Sequence, residues 1–255
     1  MNQQFKAKLN SRERILLLGG AGTGKSYSAY SVAKRVAEAD NKVFVIDNDF
    51  SFERLAEIDP VDGTFILRLL QPDEWAEMLE ALESFIAAAG KDDLLIVDSM
   101  TPTWQAVQDW YCDQIFDKGI DEFFLDARKQ MTGDRVEGFD GWKDWSVINK
   151  SYGKLYRLIN RFPGHVILTA EAEPITADTD PELKKIYGRR VKHRGQKGLP
   201  HKVNTILQTS KTSAGKYELT TIKDRGREAD YSFKEDEFTD FFLTYFVGAA
   251  GWSPT

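Results

Sequence analysis

Residues 19 to 26 read Gly-Gly-Ala-Gly-Thr-Gly-Lys-Ser, a spacing suited to holding a polyphosphate. Gly19, Gly20, Ala21, Gly22, Thr23 and Gly24 offer successive backbone N–H groups, and the glycines admit phosphate oxygens that a side chain would block. Lys25 then reaches the β- and γ-phosphates, while the Ser26 hydroxyl is an oxygen ligand for Mg²⁺. The segment from Lys25 through Tyr27 has the pattern of a helix start, and a helix N-terminus is the positive end of its dipole. ATP with Mg²⁺ is the cofactor pair this loop predicts, with residues 19 to 27 forming the binding site.

Two carboxylates complete the candidate chemistry. Asp98 closes the apolar run Leu94 to Val97, where a carboxylate would hold Mg²⁺ through water, alongside Ser26. Asp49 ends Ile46-Asp47-Asn48-Asp49, just past a second apolar run, and is a candidate water-activating base. Asp-Asn-Asp is also what a turn would use, because these side chains hydrogen-bond to nearby backbone.

The elements that must position these groups follow from periodicity. Ile15 to Leu18, Val43 to Ile46, Leu94 to Val97 and Val166 to Leu168 are continuous apolar runs bounded by turn residues, the signature of strands buried on both faces. Thr64 to Leu70 is a weaker strand. Helical spacing recurs from Lys25 to Ala39, after Pro72, after Thr101-Pro102, and from Ile148 to Phe162. Val203 to Gln208 and Tyr217 to Lys223 form a hairpin across Ser213 to Lys216. Residues 118 to 145 and 172 to 200 are expected to be irregular. Strands alternating with helices predict an α/β fold: a mostly parallel, twisted sheet with helices on both faces and a C-terminal antiparallel hairpin.

At 255 residues, 42% hydrophobic and 29% charged, the chain suits one soluble α/β domain. Cys112 is the only cysteine, which excludes an intrachain disulfide and favours a reducing cytoplasmic home. No signal-peptide pattern and no membrane-length apolar run occur, so no membrane partner is expected. Residues 1 to 14 read as a short polar arm, 15 to 230 as the core, and 231 to 255 as a C-terminal packing segment.

The net charge of −6 is unevenly spread. Lys184, Lys185, Arg189, Arg190, Lys192, Arg194, Lys197 and Lys202 form an acid-free basic stretch, and without these eight cations the remainder carries −14. Basic residues interleaved with Tyr187 and several glycines suit a single-stranded nucleic acid, whose phosphates pair with cations and whose bases stack. A solvated surface loop is the plain alternative. His193 and His201 lack partners at metal spacing and are read as polar neighbours. Trp142 and Trp145 could stack on bases, but their spacing better fits anchoring the start of a helix.

The order of these parts resembles the RecA/RadA-like ATPases, and within them the shortened phage recombination and single-strand-annealing ATPases, over roughly residues 15 to 225. The resemblance implies a RecA-like P-loop NTPase core acting as a DNA-dependent ATPase on single-stranded DNA. It would assemble as a homo-oligomer, a ring (a hexamer) or a filament, with other recombination or replication proteins as further partners. Asp49 then matches the catalytic carboxylate, and Glu171 stands where a polar switch residue leads into a DNA loop. Lys223 and Arg225, on one face of a strand, would reach the neighbouring subunit's γ-phosphate. The mobile DNA loops would fall at about 118 to 145 and 172 to 200. A hexameric helicase-like motor is the near alternative, and a small-molecule P-loop kinase the alternative from another class. A partition-type ATPase fits less well, since Gly19-Gly20 stand where that class has an early Lys.

Overall fold

The computed structural model describes residues 12–58, 67–70, 75–130, 143–188, 191–225 and 232–234. In chain order the elements are β1 (Arg14–Gly19), α1 (Lys25–Glu38), β2 (Val43–Asp47), α2 (Ser51–Ile58), β3 (Leu67–Leu70), α3 (Trp75–Ala88), β4 (Leu94–Asp98) and α4 (Met100–Phe116). There follow α5 (Ile120–Gln130), α6 (Lys143–Arg161), β5 (His165–Pro174), α7 (Pro181–Tyr187), β6 (Val191–His193), a short 3-10 turn, β7 (Thr205–Lys211), β8 (Tyr217–Asp224) and β9 (Ser232–Lys234).

The strands form one sheet in the order β3-β2-β4-β5-β1-β7-β8-β9, with β6 paired to the far end of β5. The six strands from β3 to β7 run parallel, and β7, β8 and β9 pair antiparallel. This is the α/β core with a C-terminal hairpin that the sequence predicts. β1, β2 and β4 are buried along their whole length, which explains their unbroken apolar runs.

Side-chain alternation divides the core into two layers. Ile15, Leu17, Val43, Val45, Leu94, Ile96 and Ile167 face α1 and the start of α2. Leu16, Leu18, Phe44, Ile46, Leu95, Val97, Val166 and Leu168 face α3, α4 and α6. On the first side Tyr30 of α1 meets Phe52 of α2 edge to face, with ring centroids 5.8 Å apart. On the second, Trp145 near the start of α6 stacks on Trp104 of α4, the anchoring role read from its spacing. Trp142 lies outside the described residues.

Several boundaries differ from expectation. Arg14 is the first residue of β1 rather than the end of an arm; its buried guanidinium donates to the carbonyls of Glu13, Phe162 and Gly164. Residues 1–11 of the arm are not described. The segment expected to be irregular from 118 to 145 contains α5 and the start of α6; residues 131–142 are not described. The glycines and mixed charge there mask the helical pattern, but Phe116 and Phe123 stack at 4.1 Å and fold α5 onto α4. The basic segment holds α7, β6 and the 3-10 turn rather than an open loop. Of the C-terminal packing segment, only β9 is described. Among the described residues no helix is long and apolar enough to cross a membrane.

The turn into β5 is set by one close approach. His165 donates its N–H to the Asp93 carbonyl at 2.8 Å, and a Cβ on Gly164 would sit 1.9 Å from that same oxygen. Backbone cannot yield as a side chain can, so Gly164→Ala is expected to destabilise the fold by about 2 kcal/mol or more. Urea unfolding of the variant checks this, and an unchanged midpoint would contradict the packing described here.

Candidate nucleotide and metal site

Parallel strands bring their C-terminal ends to one edge of a sheet, which is where α/β proteins hold ligands. Here β1 delivers the glycine-rich loop, β2 ends at Asp47, and β4 ends at Asp98. β5 runs between β1 and β4, with Leu17 level with Thr169 and Val97 level with Leu168. Residues 80 apart in sequence thus converge because of strand order alone.

The loop is a preformed cradle. Gly22 and Gly24 have φ of 69° and 91°, in the left-handed region that favours glycine. Gly19 is needed for a different reason: a Cβ there would lie 2.1 Å from Thr209 Oγ1 and 2.4 Å from Thr23 Oγ1. These two hydroxyls meet at 2.8 Å, and Thr23 also donates to the Gly20 carbonyl, so β7 braces the loop from behind. α1 has no side-chain cap at its N-terminus, leaving N–H groups directed at the cradle. Lys25 Nζ donates to the Gly20 carbonyl at 2.9 Å, folded back over the loop it is expected to leave for phosphate. A cleft of about 290 Å³ opens between this loop and α2, lined by Gly22, Gly24, Lys25, Ser26, Tyr27, Ser51, Arg54 and Leu55. Arg54 and Leu55 were not legible as site residues, since α2 reads as an ordinary amphipathic helix.

Asp98 is wholly buried. Its Oδ1 accepts a short hydrogen bond from Thr169 Oγ1, and its Oδ2 accepts one from Ser51 Oγ at 2.7 Å. Ser51 Oγ is also 2.9 Å from Ser26 Oγ. Burial raises the Asp98 carboxyl above the usual carboxylate range, and the nearby Asp49 charge adds to this, against the hydroxyl bonds. Among the described residues the groups bonded to its carboxylate are hydroxyls rather than cations. A buried carboxylate beside serine hydroxyls fits a hard divalent cation, which takes oxygen ligands and supplies the missing charge. Asp98 and Ser26, the predicted metal residues, are therefore brought together.

Asp47 and Asp49 join this edge. Oxygens of Asp47, Asp49 and Asp98 lie within 4.8 Å of one another. Asp47 caps α2: Oδ1 accepts from the Ser51 N–H, and Oδ2 from those of Phe52 and Glu53. Its burial nevertheless pushes it up to about 6. The turn chemistry weighed for Asp-Asn-Asp thus belongs to Asp47, while Asn48 ties the end of β2 to the start of α4 through the Ser99 carbonyl and Thr103. Asp49 is exposed, with Oδ1 3.2 Å from the Ser51 N–H.

β8 ends at Asp224, so Arg225 is the first residue beyond the strand that carries Lys223; burial, and then the nearby Arg225 charge, lowers the pKa of the Lys223 ammonium. Lys223 Nζ donates to the carbonyls of Pro200 and Val203, at 2.5 and 2.9 Å, within its own chain. Arg225 is exposed and donates its backbone N–H to Asn204.

The basic stretch is acid-free in sequence but not in space. Lys192 pairs with Glu173, Arg194 with Glu171 at 3.2 Å, and Lys197 with Asp180 at 3.9 Å. Lys184 donates to the Ala177 carbonyl, and Lys202 lies 6.0 Å over the Tyr156 ring. Lys185 is exposed; Arg189 and Arg190 lie outside the described residues. His193 is buried between the Tyr187 hydroxyl and the Gln196 carbonyl, and His201 is 3.5 Å from Glu182, so both are polar neighbours.

The raised Asp98 gives a testable sign. A carboxyl raised on folding binds its proton more tightly in the folded chain, so its contribution to stability falls as pH rises from the ordinary carboxylate range through the raised value. Asp98→Asn removes that loss, whereas Asp47 retains a contribution of the same sign. In metal-free buffer the variant should lose less stability than the parent as pH rises above the ordinary carboxylate range. It should also gain less thermal stability from Mg²⁺ with nucleotide. Thermal unfolding with and without Mg²⁺ checks both effects, and identical pH profiles would contradict the burial argument.

Comparison with known proteins gives the family. No curated protein matches the chain. A solved structure described as the RadB recombinase is similar at 15% identity and a TM-score of 0.49, covering 86% of this chain and 85% of that one. A family model described as an AAA domain matches residues 11–235. With its P-loop at the end of β1 and its buried carboxylate at the end of β4, the chain belongs to this AAA-domain family of P-loop ATPases.

Proposed function

We propose that the chain is a cytoplasmic ATPase that hydrolyses ATP with Mg²⁺ and works on single-stranded DNA, in phage-type recombination or strand annealing. The observation that carries the DNA part is the attachment of the basic segment to the nucleotide edge. Arg194 donates its N–H to the Glu171 carbonyl at 2.8 Å and its guanidinium to the Glu171 carboxylate. Thr101 Oγ1 accepts from the Glu171 N–H and donates to the Arg194 carbonyl. Glu171 is two residues beyond Thr169, which binds Asp98. A change at Asp98 therefore has a short covalent route along β5 to the cations.

In this reading Lys25 leaves the Gly20 carbonyl to meet the β- and γ-phosphates, and the loop N–H groups hold the remaining oxygens. Ser26 and Asp98 hold Mg²⁺, which would neutralise charge on the phosphates. Asp49, exposed beside this group, orients and deprotonates the attacking water. The exposed ion pairs of Arg194 and Lys197 are each worth about 0–1 kcal/mol, so phosphates can replace their carboxylate partners. Subunits assemble as a ring or filament, and Arg225 of one subunit supplies charge to the γ-phosphate held by another. Lys223 instead anchors the end of the basic segment.

The direct test is ATP turnover with and without single-stranded DNA. Stimulation is expected in the parent, with turnover absent in Lys25→Ala at an unchanged unfolding temperature. With three to five phosphate contacts per subunit, log affinity for DNA should fall against log salt with a slope of roughly −2 to −3.5. Turnover that ignores DNA but responds to a small phosphate acceptor would favour a kinase instead.

Arg225→Ala should bind ATP yet hydrolyse it slowly, with a loss on the order of 10³-fold for a missing cationic finger. Mixing it with inactive Asp49→Ala should restore part of the activity at mixed interfaces. Co-assembled mixtures that stay inactive at every ratio would remove Arg225 from the neighbour's site.

A further inference from the structure

Ser51 occupies a position that neither helix capping nor packing requires. The helix is already capped by Asp47, and it is Phe52 that is buried against Tyr30. The Ser51 hydroxyl instead points between the two predicted metal residues, 2.9 Å from Ser26 Oγ and 2.7 Å from Asp98 Oδ2. A serine has one proton to donate, and a buried carboxylate is the stronger acceptor. Ser51 therefore donates to Asp98, which turns its lone pairs toward the side where Ser26 lies.

The spacing is informative. Mg²⁺ takes oxygen ligands at about 2.0–2.1 Å in an octahedron, so ligands on adjacent corners lie about 2.9 Å apart. Ser26 Oγ and Ser51 Oγ are hydrogen-bonded to each other at 2.9 Å, so the two hydroxyls already stand at a separation that adjacent corners can accept. We propose that Ser51 is a second hydroxyl ligand of Mg²⁺ beside Ser26, in a place that such sites commonly leave to water. Asp98 acts from outside by accepting the Ser51 proton in a hydrogen bond. The position is preorganised, because the Ser51 N–H is held by Asp47 Oδ1 at 3.1 Å and Asp49 Oδ1 at 3.2 Å. One residue thereby links the cation, its outer carboxylate and the exposed Asp49.

This inference rests on the nucleotide reading above, and the experiment separates the two. Nucleotide affinity is measured by calorimetry for the parent, Ser51→Ala and Ser51→Cys, in EDTA, Mg²⁺ and Cd²⁺. Thermal unfolding in EDTA reports folding, and both variants keep the backbone bonds that hold the start of α2. ATP affinity in EDTA is measured for each protein and serves as its own reference, because Ser51 also lines the cleft. The affinity gained on adding Mg²⁺ should drop by about 10-fold or more in both variants, the scale seen when a metal's immediate surroundings are altered. A thiolate prefers a soft ion, so Cd²⁺ should restore the gain in Ser51→Cys and not in Ser51→Ala. A full Mg²⁺ gain in Ser51→Ala, or equal behaviour of the two variants with Cd²⁺, would overturn direct ligation. A parent protein that binds no ATP under any metal condition would overturn the nucleotide reading itself.

Discussion

The arrangement depends on a carboxylate held out of water. Asp98 ends a fully buried strand, and its immediate partners are the Thr169 and Ser51 hydroxyls. Hydroxyls satisfy its hydrogen-bonding capacity but do not neutralise it, so holding it charged is costly. Each hydroxyl comes from a different element: Thr169 from β5, Ser51 from α2, and Ser26 behind it from α1. The position of one charge thus constrains how three elements meet, and a ligand that relieves the charge acts on all three.

The loop opposite Asp98 is rigid for reasons of packing. β7 places Thr209 against Thr23 and Gly19, so the cradle is fixed from below by a strand remote in sequence. Preorganised N–H groups need little rearrangement when phosphate binds, which is the condition under which they stabilise charge most. α2 forms the other wall, and Asp47 sets its entry angle through three backbone bonds. One wall is therefore set by a strand and the other by a helix cap.

The basic segment illustrates how charge in sequence differs from charge in space. Eight cations without an intervening acid suggest an open polycation. Folding lays part of that segment along β5 and the turn after it, whose acids pair with Lys192, Arg194 and Lys197. The pairs of Arg194 and Lys197 are exposed and weak individually, whereas Lys192 and Glu173 are partly buried, so the segment is held more firmly at β6 than beyond it. Lys223 fixes its far end through two carbonyls, a role that a reading of strand alternation alone does not suggest.

By itself the sequence determined the phosphate loop, the buried strands and the helices with strong periodicity, because each is a local pattern of glycine, apolar runs or 3.6-residue spacing. Asp98 was legible for the same reason, as the residue that closes an apolar strand. α5 was not, since its stabilising contact is Phe116 on Phe123, across a turn whose glycine and mixed charges obscure the period. Ser51, Arg54 and Thr169 were also beyond its reach: a serine opening a helix and a threonine within a strand have ordinary local explanations. Only the strand order, which puts β5 between β1 and β4, brings Thr169 to Asp98. Only the packing of α2 against α1 carries Ser51 to Ser26 and Arg54 to the cleft. Local patterns record which residues are buried together along one element, whereas a site assembled from four elements is decided by the long-range contacts between them.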